Sequence, residues 1–183
     1  MVVRLGAPEG AIWAVDASVA LLNAAAAQYA TRMLKNGHAL RTGRFSESGR
    51  IYLVTTVTHR RTRLFADFDL ARAAVQQLRC SDHSGRGRTL AFVLMPDHLH
   101  WLVELREGEL SALVGQFKAS VAAAVNRRLG VTGVQRWQRG FHDHAVRREE
   151  DLAALARYIV ANPMRAGLVR RVGDYPHWDA VWV

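Results

Sequence analysis

Two histidines separated by one residue, His98 and His100, have the type and spacing of a metal-binding pair. They lie in the run HLHWLVEL, whose apolar residues predict a strand. Because side chains alternate between the two faces of a strand, both imidazoles project from one face while Leu99 and Trp101 point to the other. Two neutral imidazoles placed in this way can bind one divalent cation. The alternative interpretation is a pair of polar residues on a solvated sheet face.

A second pair has the same spacing, at His142 and His144. The residue between them is Asp143, so this strand lacks an inward apolar anchor between its histidines. We therefore interpret His98 and His100 as the principal pair. His142 and His144 either form a competing metal site or provide a group that contacts the ligands of the first site without binding the metal.

Tyr158 and Asn162 are four residues apart near the end of the last predicted helix, which places them on adjacent turns of one face. Tyr158 falls on the flank of the buried stripe, where a phenol can reach solvent. The amide oxygen of Asn162 can bind a hard cation. In the alternative interpretation, Tyr158 is an ordinary boundary tyrosine and Asn162 ends the helix before Pro163.

Together, these four residues suggest a reaction on a phosphodiester. A metal held by two imidazoles and an amide oxygen would polarise and orient a phosphate. The phenolate of Tyr158 would attack phosphorus and leave a covalent phosphotyrosine, which keeps the energy of the broken bond for rejoining.

The elements that must position these residues alternate between strands and helices. We predict strands at 51–58, 90–95 and 98–105, helices at 70–78, 109–129 and about 149–161, a short strand pair at 134–137 and 141–147 bent at Gly140, and an extended aromatic tail. The pair Pro96 and Asp97 predicts a tight turn that joins two strands into an antiparallel hairpin. The fold class is therefore α+β, with helices packed against an antiparallel sheet.

Composition sets limits on the partner and the setting. Lysine and arginine total 25 against 16 aspartates and glutamates, so the formal charge is +9 and a polyanion is the first partner to consider. An arginine-rich composition without a binding role is the alternative. The single cysteine excludes an intrachain disulfide and a thiolate zinc cluster, which suits a reducing cytoplasm. The alanine-rich residues 17–31 are shorter than the roughly 20 residues of a membrane span, so we expect no membrane partner.

Three blocks of the sequence, MPDHLHWLV, WQRGFHDHAVRREEDL and YIVANPMRAGLV, resemble successive motifs of the REP-associated tyrosine transposases, a branch of the HUH single-strand transposases. The resemblance covers about residues 44–183, which we take as the transposase domain. Residues 1–43 fall outside it and are expected to form a helical extension and a basic connector.

The resemblance implies a ferredoxin-like, RRM-like sheet that carries His98 and His100. It also implies that Tyr158 is the nucleophile and that Asn162 completes a Mg²⁺ or Mn²⁺ site. Family substrates are single-stranded DNA with small hairpins, cut to give a 5′-phosphotyrosyl end and a free 3′-hydroxyl. The monomeric or homodimeric state, the target hairpin and the cellular metal stay open, and a cytoplasmic, nucleoid-associated location is expected.

Arginines are placed where a nucleic acid would need phosphate contacts. The candidates are Arg60, Arg61 and Arg63 after the first strand, Arg86 and Arg88 before the hairpin, and Arg147, Arg148 and Arg165 around the tyrosine helix. Three tryptophans, Trp137, Trp178 and Trp182, are candidates either for stacking on unpaired bases or for the core.

Two other functions compete with the transposase reading. A non-catalytic RRM-like binder would carry aromatic residues on an exposed sheet face. A metal hydrolase that uses water would be indifferent to Tyr158.

Overall fold

The described part of the chain, residues 46–147 and 151–182 of a computed structural model, is built on a five-stranded antiparallel sheet. Its strands are β1 (Ile51–Val57), β2 (Gly87–Met95), β3 (His98–Leu105), β4 (His142–Ala145) and β5 (Trp178–Ala180). They lie in the order β4-β1-β3-β2-β5, with β3 in the centre. The predicted strands at 51–58, 90–95 and 98–105 are confirmed.

Helices cover both faces of this sheet. They are α1 (Phe68–His83), α2 (Leu110–Arg128), α3 (Leu152–Val160) and the short α4 (Asn162–Arg165), with single 3-10 turns at His59–Arg61, Leu64–Ala66 and Val172–Asp174. The run β1-α1-β2-β3-α2-β4 with this strand order is the ferredoxin-like arrangement, so the predicted α+β, ferredoxin-like fold is confirmed. In the described residues, no helix is long and apolar enough to cross a membrane.

Each face of the sheet carries its own hydrophobic core. On one face, Leu99 and Trp101 pack with Leu78 of α1 and Phe117 of α2. On the other face, apolar residues of the strands pack against α3, which contributes Ile159 to the contact. The alternation of β3 therefore assigns its odd-numbered residues to α1 and α2, and its even-numbered residues to the side of α3.

The turn at Pro96 and Asp97 joins β2 to β3 as the sequence predicts. Met95 lies opposite His98, and pairing continues along the hairpin with one irregularity between Thr89 and Ala91. This tight connection fixes the register of β3 against β2, and hence the face on which both histidines lie.

The predicted strand pair bent at Gly140 is wrong. Residues 142–145 pair with β1, and Trp137 forms an isolated antiparallel bridge to Thr58 at the end of the same strand. Both segments therefore extend one edge of the sheet and do not fold back on each other.

Two anchors explain this arrangement. The buried Trp137 packs against Phe65 and Phe117, and these contacts hold its segment on the core between β1 and α2. Lys118 of α2 then holds the intervening loop, since its Nζ donates to the carbonyl oxygens of Gln138 at 2.7 Å and Gly140 at 2.6 Å. The periodicity of the sequence predicts neither the Trp137 contacts nor the Lys118 contacts.

The last helix begins, among the described residues, at Leu152, with the side chain of Asp151 accepting from the amides of Ala153 and Ala154. It ends before Pro163, as predicted, but Asn162 then opens α4. Proline is tolerated there because the first turn of a helix leaves its amides without intrahelical partners. The aromatic tail is extended as predicted and adds β5 to the edge of β2. The predicted extension and domain boundary at 1–43 lie outside the described residues.

We expect Leu99→Ala to lower the free energy of unfolding by about 2–5 kcal/mol, because Leu99 is fully buried between the two histidines and its loss leaves a cavity under β3. Denaturant titration followed by circular dichroism measures this change. Leu129→Ala, at a side chain that is 46% exposed, is the control and should stay within about 0.5 kcal/mol of the parent. Equal effects of the two substitutions would contradict the assignment of Leu99 as the anchor.

Candidate active site

His98 and His100 lie near the start of β3 and project from the face that α3 covers. Their ring centres are 4.9 Å apart and the ring planes are nearly perpendicular, at 86°. Two imidazoles that share an ion through metal–nitrogen bonds of about 2.1 Å place their ring centres roughly 5 Å apart. The predicted pair therefore has a spacing that fits a common cation.

Each ring uses its Nδ1 atom for a contact within the protein. Nδ1 of His98 lies 2.6 Å from Oδ1 of Asp97, and Nδ1 of His100 lies 2.9 Å from Oγ1 of Thr55 on the neighbouring strand. These contacts leave the Nε2 atoms as the atoms that can bind a metal. Carboxylate and hydroxyl partners of this kind orient metal-binding histidines in proteins.

The electrostatics keep His100 in a ligand-competent state. Its pKa is lowered to about 3, chiefly by burial and also by the neighbouring charges of His98 and Arg165, which Asp97 only partly opposes. Partial burial raises the pKa of Asp97, but its hydrogen bonds to His98 and Arg61 and the charges of both outweigh that effect, and the net pKa is below its usual value. At neutral pH, His100 is therefore a neutral imidazole and Asp97 is a carboxylate anion.

Arg165 connects Tyr158 and Asn162 on the other half of the site. Its guanidinium carbon lies 3.7 Å from the centre of the Tyr158 ring, and its Nη1 donates to the Tyr158 carbonyl at 3.1 Å. Its Nη2 donates at 2.7 Å to Oδ1 of Asn162, whose own Nδ2 donates to the carbonyl of Ile159 at 2.8 Å. The predicted ligand oxygen, Oδ1 of Asn162, thus accepts a hydrogen bond from the Arg165 guanidinium. Oδ1 could bind a metal only if Arg165 shared or released this oxygen.

The two halves meet on one face of the sheet. The tyrosine helix α3 packs on β2 beside the row that contains His100, and the charge of Arg165 is close enough to His100 to lower its pKa. Arg165 therefore contacts the phenol ring and also acts electrostatically on His100. These groups lie on β3 and on α3, which are far apart in the sequence, and the fold places both elements on one face of the sheet.

The competing pair at His142 and His144 lies on β4, opposite Thr55 and Leu53, and thus on the same sheet face. Thr55 separates His142 from His100 across β1. Within the described ranges, no three histidine, cysteine, aspartate or glutamate side chains come close enough to hold a metal. The second pair therefore does not join the first in one cluster.

The predicted DNA-binding arginines divide between the two ends of the sheet. Arg60, Arg61 and Arg63 follow β1 at the end where His98 lies, and Arg165 is in the site itself. Arg86 directly precedes β2 and Arg88 lies in its first residues, opposite Glu104 of β3, at the far end of the hairpin; Arg147 follows β4 at that same end. Arg148 lies outside the described residues.

The tryptophans have different environments. Trp137 is buried in the core, Trp178 is partly buried and donates to the carbonyl of Val172 at 3.0 Å, and Trp182 is 41% exposed. Trp137 therefore cannot stack on an unpaired base, which leaves the exposed Trp182 as the candidate.

Sequence reasoning missed Thr55 and the contact of Asp97 with His98. Thr55 is one of several threonines in β1, and only the register with β3 identifies it as the neighbour of His100. Asp97 directly precedes the histidine pair in the sequence, but its residue type after Pro96 predicts only a turn and not the contact with His98.

Comparison with known proteins gives a consistent result. The family model described as "Transposase IS200 like" matches residues 46–162. A Haemophilus influenzae protein assigned as a REP-associated tyrosine transposase is 29% identical over 70% of this chain and 78% of its own length. The REP-associated tyrosine transposase of Escherichia coli is 32% identical over 47% of this chain and 50% of its own length.

A solved structure of a REP-associated tyrosine transposase bound to a REP hairpin shares the fold, with a TM-score of 0.57 and 24% identity over 75% of this chain and 81% of that one. Because the family model spans more than half of the sequence, the chain belongs to the family of IS200-like transposases, and the relatives named above are REP-associated tyrosine transposases.

Proposed function

We propose that this transposase nicks and rejoins single-stranded DNA at hairpin-forming repeats, with Tyr158 as the nucleophile. The observation that carries the proposal is the shared sheet face: the helix of Tyr158 packs on the face from which His98 and His100 project. Arg165 stacks on Tyr158 and its charge lowers the pKa of His100. The hairpin substrate follows from the relatives, one of which is described as bound to a REP hairpin. A cytoplasmic location with access to DNA belongs to the same proposal.

The residues that would hold a divalent cation are His98 and His100 through their Nε2 atoms, with Oδ1 of Asn162 as a third ligand. The ring spacing and the engaged Nδ1 atoms of both histidines support this assignment. Bound Mg²⁺ or Mn²⁺ would supply Lewis-acid polarisation of the scissile phosphate.

Tyr158 supplies the covalent step. Its phenol oxygen forms a bond to phosphorus and loses its proton, while the bond from phosphorus to the 3′ oxygen breaks and that oxygen takes up a proton. The products are a 5′-phosphotyrosine and a free 3′-hydroxyl. Attack of a 3′-hydroxyl on the phosphotyrosine reverses the step and rejoins a strand. Arg165, stacked on the ring, places a positive charge beside the developing negative charge.

The proposed DNA contacts begin with the arginines at the histidine end of the sheet, Arg60, Arg61 and Arg63, because they lie beside the site. Arg86, Arg88, Arg147 and Arg148 would hold more distant parts of the strand. An RRM-like binder would instead use an open aromatic sheet face, whereas α3 covers the face that carries the histidines here.

Tyr158→Phe is expected to abolish covalent adduct formation with hairpin-bearing single-stranded DNA in the presence of Mg²⁺. The substitution removes the attacking oxygen and keeps the ring that stacks on Arg165. The DNA is labelled at its 3′ end, since the protein stays attached to the 5′-phosphate of that fragment. Denaturing electrophoresis then reports the adduct.

Tyr175→Phe is the matched control, because Tyr175 is another partly buried tyrosine, whose hydroxyl donates to the carbonyl of Leu94 at 2.7 Å. It should retain the adduct. An adduct that survives Tyr158→Phe would falsify the nucleophile assignment, and DNA binding without cleavage under any metal would favour the non-catalytic binder.

Removal of the metal by a chelator is expected to stop cleavage. His98→Ala and His100→Ala should each lower the cleavage rate at least about 100-fold, because each removes a ligand that contributes several kcal/mol to transition-state stabilisation. Single-turnover rates measured across a Mn²⁺ series test this. His142→Ala provides the comparison: if it abolishes cleavage while His98→Ala does not, the second pair is the metal site.

Arg63→Gln is expected to reduce the salt dependence of binding to single-stranded DNA. One lost phosphate contact lowers the slope of log K against log salt by about 0.7. Fluorescence anisotropy at several salt concentrations measures the slope. Arg79→Gln, at an exposed position of α1, should leave it unchanged. An equal change in both variants would indicate an effect of net charge alone.

A further inference from the structure

We propose that Asp97 and Arg61 are positioning residues that fix the tautomer and orientation of His98, so that its Nε2 atom is always the one offered to a cation. This inference rests on the proposed metal site, and it identifies Asp97 and Arg61 as an ion pair that supports the ligand His98. Asp97 binds through both oxygens: Oδ1 lies 2.6 Å from Nδ1 of His98, and Oδ2 accepts from Nη1 of Arg61 at 3.0 Å. The carboxylate is therefore held from both sides.

The chemistry of this chain of contacts defines the tautomer. Oδ2 of Asp97 accepts from Arg61, and a carboxylate held in this way can only accept from Nδ1 of His98. Nδ1 therefore carries a proton, and in the neutral ring that binds a metal Nε2 carries the lone pair. His100 differs, because its Nδ1 contacts the hydroxyl of Thr55, which can donate or accept. His98 is thus the ring whose orientation depends on a charge.

The backbone that delivers Arg61 is strained. Arg60 and Arg61 have φ values of 55° and 53°, in the left-handed region that non-glycine residues rarely adopt. The buried Thr58 holds this turn against the hairpin, since its Oγ1 lies 2.7 Å from the carbonyl oxygen of Thr62 and 2.9 Å from that of Asp97, and its one proton can serve either of them. Thr58 N also donates to the carbonyl of Asp97 at 2.9 Å, which ties the turn to the residue before His98.

The ion pair between Arg61 and Asp97 is too weak to explain this turn as a stabilising feature. Each left-handed residue costs on the order of 1–3 kcal/mol. The Arg61 side chain is 55% exposed, and exposed ion pairs contribute only about 0–1 kcal/mol. The contact of Arg61 with Asp97 therefore does not offset the strain, whereas precise orientation of a metal-binding histidine accounts for a turn built in this form.

The first test is the tautomer of His98 in the intact protein without metal. Long-range ¹H–¹⁵N spectra of the histidine rings, assigned by single His→Gln substitutions, should show His98 with its proton on Nδ1. In Asp97→Asn, where the amide can either donate or accept, the Nε2-protonated form should appear. A parent protein with His98 protonated on Nε2 would overturn the inference.

The second test is Mn²⁺ affinity measured by titration calorimetry without DNA. Asp97→Asn should raise the dissociation constant about 10- to 100-fold, as expected for loss of an outer-shell partner. Arg61→Gln should raise it by a smaller factor. The matched control is Asp82→Asn, because Asp82 is another partly buried aspartate, which accepts from the amide and hydroxyl of Thr89 at 2.8 Å, away from the histidines. It should leave the affinity unchanged.

The outcomes separate this inference from the proposed function. If Asp97→Asn and Asp82→Asn change the Mn²⁺ affinity equally, the positioning role is wrong while the nicking activity can still stand. If the parent binds no Mn²⁺, the proposed metal site fails and the positioning role fails with it, whatever the tautomer. Adduct formation by Tyr158→Phe would overturn the proposed nucleophile without touching the tautomer result.

Discussion

The pairing of β3 with a strand on each side is the constraint on which the site depends. Because β1 and β2 both fix its register, a slip by one residue would move Leu99 out of the core and both histidines into it. The fully buried Leu99 and Trp101 make such a slip costly. The orientation of His98 and His100 is thus a consequence of core packing on the opposite face of the strand.

The second face has a different character. There the apolar contacts of α3 hold the tyrosine helix on the sheet, but polar contacts to Arg165 set the positions of Tyr158 and Asn162. Rigid packing therefore defines where the helix lies, and a single exposed side chain defines how its functional groups are arranged. A substrate phosphate can compete for that guanidinium, which connects DNA occupancy to the groups that would act on it.

Local sequence patterns predicted much of this arrangement. The alternation in HLHWLVEL predicted the face of the histidines, and the Pro96 and Asp97 turn predicted the hairpin. The edge formed by Trp137 and β4 was not predicted, since it depends on contacts with Phe65 and Lys118 that are distant in sequence. The role of Thr55 depends on strand register in the same way, and the outer contacts of the site therefore required the fold.

The proposed metal site would combine two ligands with fixed directions and one that can turn. The rings of His98 and His100 are held by a strand and by their Nδ1 contacts, so moving them means moving the sheet. The oxygen of Asn162 is held by one hydrogen bond from a charged donor, worth about 1.5–3 kcal/mol. A cation already bound at the imidazoles would repel Arg165 and attract that oxygen. Asn162 would therefore complete the proposed site only when Arg165 releases its oxygen, and a substrate phosphate is a group that can bind the guanidinium in its place.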